Sequence, residues 1–234
     1  MKIKLPYILI FLIATALITS CKKDNYAPPS SLLSGRVVYK GDAIGVEYNQ
    51  VPFQIYQFGL GKVGAINGSF APDGTYSVLL FDGDYKFIIP NGKGPFLWKK
   101  TAAGNPDSLT ISMRGSQTLD IEVLPYYMIR NAQFNASGGK ITGTFKAEKV
   151  ITDALARDIE SVNMYINKTQ FVSGADNISS ANLAGSAIAD PNNVSLSVTI
   201  PGIVPTQNYV FATISIKIRG VENRIFSPVQ KISF

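Results

Sequence analysis

Apolar and polar residues alternate along most of the chain after residue 32. This two-residue period is typical of a β-strand that buries one face. Turn-forming pairs such as Asp73-Gly74 and Asp82-Gly83 separate the alternating segments. The pattern predicts strands in the first part of the chain at residues 35–39, 52–58, 75–81, 85–89, 108–114 and 117–124. It predicts a second set at residues 126–135, 140–148, 159–166, 194–200, 208–218 and 225–234.

No segment after residue 21 combines the length and the 3.6-residue period of a stable helix, although residues 153–157 and 176–184 could each form a helical turn. We therefore expect an all-β protein with two consecutive antiparallel β-sandwich domains after a leader and a short tether. Pro125 restricts the residue before it and cannot donate to a strand ladder, so we place the domain boundary there, between residues 32–125 and 126–234. Because no Gly/Ser-rich linker separates the halves, we expect them to be docked against each other.

Residues 1–20 have the order of features of a secretory signal peptide. Lys2 and Lys4 come first, apolar residues 5–18 follow, and small polar residues precede Cys21. A transmembrane helix is the alternative, but it needs roughly 20 apolar residues, more than this stretch supplies. Cys21 is the only cysteine, so an internal disulfide is excluded and another use of the thiol is expected. Residues 21–31 are polar and contain proline, which predicts a flexible tether.

The sequence before Cys21 carries a further signal. Residues 17–21, Leu-Ile-Thr-Ser-Cys, resemble a lipobox, the recognition site of lipoprotein signal peptidase. The resemblance implies cleavage before Cys21 and attachment of diacylglycerol to its sulfur, with an amide-linked fatty acid such as palmitate as the third chain. Such an anchor exceeds the two signals that stable tethering needs. Residues 22–24, Lys-Lys-Asp, partly resemble the signal that sends Bacteroidetes lipoproteins to the cell surface, although an ordinary polar spacer explains them as well. We expect a lipid-anchored outer-membrane protein exposed at the cell surface.

Charge and composition exclude several classes of function. Cleavage after residue 20 removes Lys2 and Lys4 and no acid, so the net charge falls from +6 to +4. No run of basic residues resembles a nucleic-acid footprint. The chain has no His, which excludes a Ser-His-Asp triad, a Cys-His pair and an imidazole metal site. Residues 59–64 match G-x-G-x-x-G, but no helix is predicted after them, so a glycine-rich hairpin is favoured over a dinucleotide site.

The acidic residues leave one enzymatic alternative. The sixteen acids are scattered, mostly in turns, where their side chains have a structural use. A glycosidase is the remaining possibility, and it would require two of these carboxylates to face each other across a cleft. We expect no catalysis, no metal and no cofactor.

Three short motifs in the first half follow the pattern of a known domain. They are residues 33–38 (LSGRVV), 72–77 (PDGTYS) and 82–87 (DGDYKF). These motifs resemble those of carboxypeptidase-regulatory-like domains, which implies a prealbumin-like sandwich for residues 32–125. The second half resembles immunoglobulin or fibronectin type III sandwiches only in its general pattern of strands.

Four further motifs sharpen the resemblance: residues 89–92 (IPNG), 94–96 (GPF), 107–111 (DSLTI) and 121–126 (IEVLPY). They resemble a family of Bacteroidetes outer-membrane lipoproteins with a domain of unknown function. Many members are encoded in polysaccharide-utilisation loci beside SusC-like transporters and SusD-like glycan-binding lipoproteins. The resemblance implies a non-catalytic accessory to glycan capture or uptake that binds carbohydrate, a SusC/SusD-like complex, or both. The alternative is a structural or adhesion-type envelope scaffold that does not bind carbohydrate.

Trp98 and Phe96 are the candidate carbohydrate-contacting residues. Trp98 is the only tryptophan, and Gly92, Gly94 and Gly104 frame the segment around it. Sugar rings stack on aromatic faces because their apolar C–H patches gain from leaving water. The alternative is that both side chains pack inside the sandwich or between the two halves.

Ser108 is a candidate modification site. Residues 107–109, Asp-Ser-Leu, resemble the D-[ST]-apolar site of Bacteroidetes protein O-glycosylation, which acts on exported proteins. The resemblance implies a glycan on Ser108.

Overall fold

The computed structural model describes residues 27–59 and 64–234. The predicted signal peptide, Cys21 and the tether up to residue 26 lie outside the described residues. Within these ranges the chain consists of β-strands, turns and one short 3₁₀ helix at Gly185–Ala187, which confirms the all-β class. Among the described residues, no helix is long and apolar enough to cross a membrane.

The strands of the first half are short and separated by tight turns. They are β1 (Ser31–Tyr39), β2 (Asp42–Ala43), β3 (Gly45–Val46), β4 (Pro52–Gln57), β5 (Ala65–Ser69), β6 (Thr75–Leu80), β7 (Gly83–Ile88), β8 (Phe96–Leu97), β9 (Leu109–Met113), β10 (Gln117–Thr118), β11 (Ile121–Glu122) and β12 (Leu124–Pro125). Several strands of the second half are longer. They are β13 (Tyr127–Ser137), β14 (Lys140–Lys149), β15 (Ile159–Asn167), β16 (Ser179–Ala184), β17 (Val194–Thr199), β18 (Tyr209–Ile218), β19 (Ile225–Phe226) and β20 (Gln230–Ser233).

Two sheets pack against each other in the first half. One contains β10, β1 and β11 with β2 and β6 also paired to β1, and the other has the order β5-β4-β7-β9. β1 is antiparallel to β2 and β6 but parallel to β10 and β11, so this sheet is mixed, where a purely antiparallel one was expected. Aromatic rings from both sheets form the core: the Phe53 centroid lies 5.0 Å from that of Phe87 and 5.4 Å from that of Tyr76. Such pairs stabilise a core beyond the area they bury.

The second half is also a two-sheet sandwich. A three-stranded sheet, β13-β14-β17, faces the sheet β16-β15-β18-β19-β3, in which β20 also pairs with β18. Burial alternates strictly along β17, as expected for a strand with one face in the core. Gly143 of β14 lets the two sheets approach closely, because a Cβ there would lie 2.7 Å from the Met164 sulfur and 3.1 Å from Ile214 Cδ1.

The two halves are joined through a shared sheet. β3, from the first half, pairs antiparallel with β19, with Val46 opposite Ile225 and Gly45 opposite Phe226. A Cβ on Gly45 would lie 2.4 Å from the Phe226 carbonyl oxygen, so this approach requires glycine. Buried side chains from both halves form one contiguous cluster. The halves are therefore docked, as the absence of a flexible linker predicted.

The helical turn predicted at residues 176–184 is wrong. β16 occupies most of this segment and pairs antiparallel with β15, with Ala181 opposite Met164. Ala181 and Leu183 are half-buried while Asn182 is exposed, which is the two-residue period of a strand. Residues 153–157 form a hydrogen-bonded turn rather than a helix.

The glycine-rich segment at residues 59–64 leads into β5, so the helix that a dinucleotide site would need does not follow it. β4 and β5 pair as antiparallel neighbours across this segment. Residues 60–63 lie outside the described residues.

Candidate functional site

A cavity of about 390 Å³ opens where the two halves meet. We call it the Trp98 cavity. The first half contributes residues 89–94, 96–98, 100 and 106 to its wall, and the second half contributes Tyr126, Arg157, Gly220, Val221 and Glu222. Trp98 also lines a more open depression of about 420 Å³ together with Tyr39, Lys99 and Glu122.

The loop from Pro90 to Phe96 owes its shape to two glycines. Gly92 and Gly94 have φ values of +77° and +89°, a backbone region that residues with a Cβ rarely adopt. The Lys93 N–H donates to the Pro90 carbonyl at 3.1 Å and closes a turn between them. A Cβ on Gly94 would lie 2.3 Å from the Phe96 ring, so glycine also makes room for that ring.

Asn223 fastens this loop to the second half. Its side chain is 5% exposed, and its Oδ1 accepts a hydrogen bond of 2.8 Å from the buried Gly94 N–H. Its Nδ2 donates to the Gln50 carbonyl at 3.1 Å. One amide therefore satisfies backbone groups from two loops of the first half. On the neighbouring residue, Glu222 accepts a 2.6 Å ion-pair contact from Lys93 Nζ.

The structure separates the two aromatic candidates. Phe96 is 4% exposed and belongs to the core, as the packing alternative proposed, so we do not carry it into the binding site. Trp98 is half-buried: its ring centroid lies 6.4 Å from that of Phe87, and its Nε1 donates to the Asp107 carbonyl at 2.7 Å. Lys99 Nζ lies 5.5 Å from the Trp98 ring centroid. Trp98 is thus held in one orientation while part of it lines the cavity.

The cavity wall contains one acid, Glu222, among its described residues. It therefore lacks the pair of carboxylates with which a glycosidase flanks its bond. No group of three or more His, Cys, Asp or Glu side chains suited to a metal ion occurs in residues 27–59 and 64–234.

Ser108 lies just before β9 and is half-buried. Its backbone N–H donates to the side-chain Oδ1 of the preceding residue, Asp107, at 2.7 Å. Its modification stays a prediction.

A second crevice was not found from the sequence. Tyr48 and Phe171, which are 62% and 65% exposed, both line it, with Gln170 and Asp176 among its polar residues. Its volume is about 60 Å³. We call it the Tyr48–Phe171 crevice. The two aromatics lie far apart in sequence and each stands alone in a turn or loop, so no local pattern links them.

The Tyr48–Phe171 crevice also lies at the junction of the halves. Glu47 Oε1, beside Tyr48, accepts a hydrogen bond of 3.2 Å from the Gly174 N–H, which connects a loop of each half.

The molecule is thus a two-domain β-sandwich protein with crevices at the domain junction. The chain belongs to the DUF3823 family. The description "Protein of unknown function (DUF3823) N-terminal domain" matches residues 31–124, and "Domain of unknown function (DUF3823_C)" matches residues 127–231.

Solved structures of related proteins have the same fold. A DUF3823 family protein from Parabacteroides merdae is 30% identical, with a TM-score of 0.76 over 88% of this chain and 100% of that one. A DUF3823 family protein from Bacteroides ovatus is 27% identical, with a TM-score of 0.75 over 87% of this chain and 99% of that one. A candidate carbohydrate-binding protein from Bacteroides uniformis is 15% identical, with a TM-score of 0.70 over 88% and 100% of the two chains. No curated protein matches the sequence.

Proposed function

We propose that the protein is a non-catalytic, lipid-anchored accessory to glycan capture or uptake at the outer-membrane surface, and that it binds carbohydrate in the Trp98 cavity. The observation that carries the proposal is the position of the chain's single tryptophan, half-exposed at the wall of an interdomain cavity. An aromatic face beside polar side chains is what a sugar needs, since its ring has both apolar C–H patches and hydroxyl groups.

The dimensions of the cavity fit this role. Small-molecule sites have volumes of about 300–1,000 Å³ and often lie between domains. The Trp98 cavity, at about 390 Å³, is at the lower end of that range, which suits one or two sugar units rather than a long chain. Polar groups reach it from both halves, including Asn91, Lys100 and Arg157.

The family supports the cellular setting. Solved relatives come from Bacteroides and Parabacteroides, and one protein of the same fold is a candidate carbohydrate-binding protein. The lipobox-like residues before Cys21 support a lipid anchor, and the family resemblance supports a place beside a SusC/SusD-like complex.

Affinity gel electrophoresis over a panel of polysaccharides tests the proposal. Wild type should be retarded by at least one glycan, and Trp98→Ala should weaken this retardation about fivefold, because a stacked aromatic contributes about 1 kcal/mol. Phe171→Ala, which removes an exposed aromatic outside the cavity, is the matched control and should bind normally.

Trp98→Ala also removes packing against Phe87, so stability must be measured in parallel. Trp98→Phe keeps an aromatic ring in place and loses only the larger indole and its hydrogen bond to Asp107. Weakened binding by folded Trp98→Phe and Trp98→Ala would support the site. Unchanged binding by both folded variants, or no retardation of wild type by any glycan, would refute it.

One observation favours a second function, docking on a protein partner. Tyr48 and Phe171 are the most exposed aromatic side chains among the large exposed apolar residues of the described chain, yet their crevice holds only about 60 Å³. That volume is too small for a sugar but suits an apolar side chain of a partner. A SusC/SusD-like complex is the partner that the family resemblance implies. If no glycan of the panel binds, this second function is that of an envelope scaffold that does not bind carbohydrate.

The double variant Tyr48→Ser/Phe171→Ser tests the docking alternative. It should reduce co-purification with a SusC/SusD-like complex from native membranes and leave glycan retention unchanged. Equal recovery of that complex with wild type and the double variant would refute it.

A further inference from the structure

The charged residues around the Trp98 cavity are mostly basic. Lys93, Lys100 and Arg157 carry positive charge into its wall, and Glu222 carries the single negative charge, so the wall has a net charge of +2. Lys93 and Glu222 neutralise each other through the 2.6 Å contact. The excess positive charge therefore belongs to Lys100 and Arg157.

Neither Lys100 nor Arg157 forms an ion pair within the described part of the chain, and both are exposed. The acid next to Arg157, Asp158, is 3.5 Å from Lys149 instead. The two cations are thus free to meet a ligand from solvent.

Arg157 is positioned by its backbone and by a glycine. The Tyr127 hydroxyl donates to the Arg157 carbonyl at 3.0 Å, which fixes the chain at this point. Arg157 Nη1 lies 2.9 Å from the place where a Cβ on Gly220 would be, so the absence of a side chain there leaves room for the guanidinium at the cavity wall. Gly220 itself has a φ of +70°, which also favours glycine.

We infer that the Trp98 cavity binds an acidic carbohydrate, a sugar that carries a carboxylate or a sulfate group. The inference rests on the proposed function and names the substrate class of the same site. A guanidinium binds carboxylate and sulfate oxygens with a planar pair of N–H donors, and a lysine adds a mobile positive charge. Trp98 would contact the apolar face of the sugar while Lys100 and Arg157 bind its anionic group.

Matched pairs of polymers distinguish the effect of the polymer's charge on binding from the effect of its sugar backbone. Polygalacturonate is compared with fully methyl-esterified pectin, which has the same backbone without free carboxylates, and dextran sulfate is compared with dextran. The protein is the mature chain without its lipid, in affinity gels at low and moderate salt. We expect wild type to bind at least one charged member at least tenfold more tightly than its neutral partner.

Variants of the protein then show which basic side chains bind the charged polymer. Lys100→Gln/Arg157→Gln should weaken binding of the charged polymer about fivefold or more, by loss of two charge-assisted contacts. Lys140→Gln/Lys146→Gln removes the same charge from exposed positions outside the cavity and should weaken binding less than twofold. Lys100→Arg keeps the charge and should retain most of the binding. Arg157→Lys keeps the charge but loses the planar pair of N–H donors, so its affinity should lie between that of wild type and that of the glutamine variant.

Each outcome decides the inference. Equal loss in the two glutamine variants would show nonspecific attraction to a cationic protein and would overturn it. Binding of methyl-esterified pectin or dextran as tight as that of the charged partner, lost on Trp98 substitution, would overturn the acidic substrate class and leave the proposed function intact. No binding of any member of the panel would overturn both.

Discussion

Asn223 is the residue whose removal tests how the Trp98 cavity is held together. Asn223→Ala deletes the acceptor of the Gly94 N–H and the donor to the Gln50 carbonyl, 2.8 Å and 3.1 Å away. Both partners belong to the first half, so the substitution breaks a contact between the halves.

The expected loss of stability follows from burial. Gly94 is buried, so its unpaired N–H costs about 1–3 kcal/mol, and the carbonyl of Gln50, an exposed residue, adds about 0.5–1.5 kcal/mol. The sum of about 1.5–4.5 kcal/mol corresponds to a fall in the thermal midpoint of roughly 3–18 °C for a chain of this size. The adjacent Lys93–Glu222 ion pair is much weaker, because side-chain exposures of 33% and 60% limit it to about 0–1 kcal/mol. The amide should therefore matter more than the ion pair.

Thermal and urea unfolding of Asn223→Ala, Glu222→Gln and wild type provide the assay. Asn193→Ala, a substitution of an exposed asparagine, is the matched control and should leave the midpoint within about 1 °C. A midpoint for Asn223→Ala equal to that of wild type, or higher than that of Glu222→Gln, would show that the Asn223 amide does not hold the halves together.

Three further predictions concern the anchor, acid stability and the shared sheet. Cys21→Ala should leave the protein unprocessed or release it from membranes on fractionation, and a processed, tightly bound variant would count against the lipoprotein proposal. The hydrogen bond from the Ser31 hydroxyl to Asp82 lowers the pKa of Asp82 below its usual value, so the ionised Asp82 contributes stability that is present above pH ~4 and is lost as the pH falls further. The thermal midpoint of Asp82→Asn should therefore depend less on pH between 5 and 2 than the midpoint of wild type. An equal dependence on pH in the two proteins would contradict this. Gly45→Ala should lower the free energy of unfolding, measured by urea titration, by about 1–3 kcal/mol, because the added Cβ would meet the Phe226 carbonyl. Gly202→Ala adds a Cβ that meets open space and should leave this free energy unchanged.

The sequence predicted strands well where apolar and polar residues alternate within the strand itself. β17 shows why: its apolar residues alternate with serine and threonine, and the same residues alternate between core and solvent in the structure. The segment at residues 176–184 has no such contrast, since small and polar residues follow one another. Its strand conformation comes from pairing with β15, a contact between distant parts of the chain. Local pattern could not reveal it.

The candidate site could be predicted only in part. Glycines around Trp98 marked an unusual loop, and Gly92 and Gly94 do have left-handed backbone. The pattern could not separate Phe96 from Trp98, because burial depends on where the loop packs. The residues that complete the cavity, such as Arg157, come from the other half. The halves meet through contacts between distant segments, among them the pairing of β3 with β19, two very short strands that carry no recognisable periodicity.

Fluorescence of Trp98 measures carbohydrate binding in the Trp98 cavity most directly, because Trp98 is the only tryptophan in the chain and lines the cavity. Selectively excited indole emission is recorded while a glycan that retards the protein in gels, with oligogalacturonate first, is titrated into the mature protein. We predict a saturable shift of the emission toward shorter wavelength, because sugar displaces water from the exposed part of the indole. The midpoint of this shift should equal that of the gel assay. Glycan binding that saturates while the Trp98 emission stays unchanged would contradict binding in the Trp98 cavity and place the binding site elsewhere on the protein.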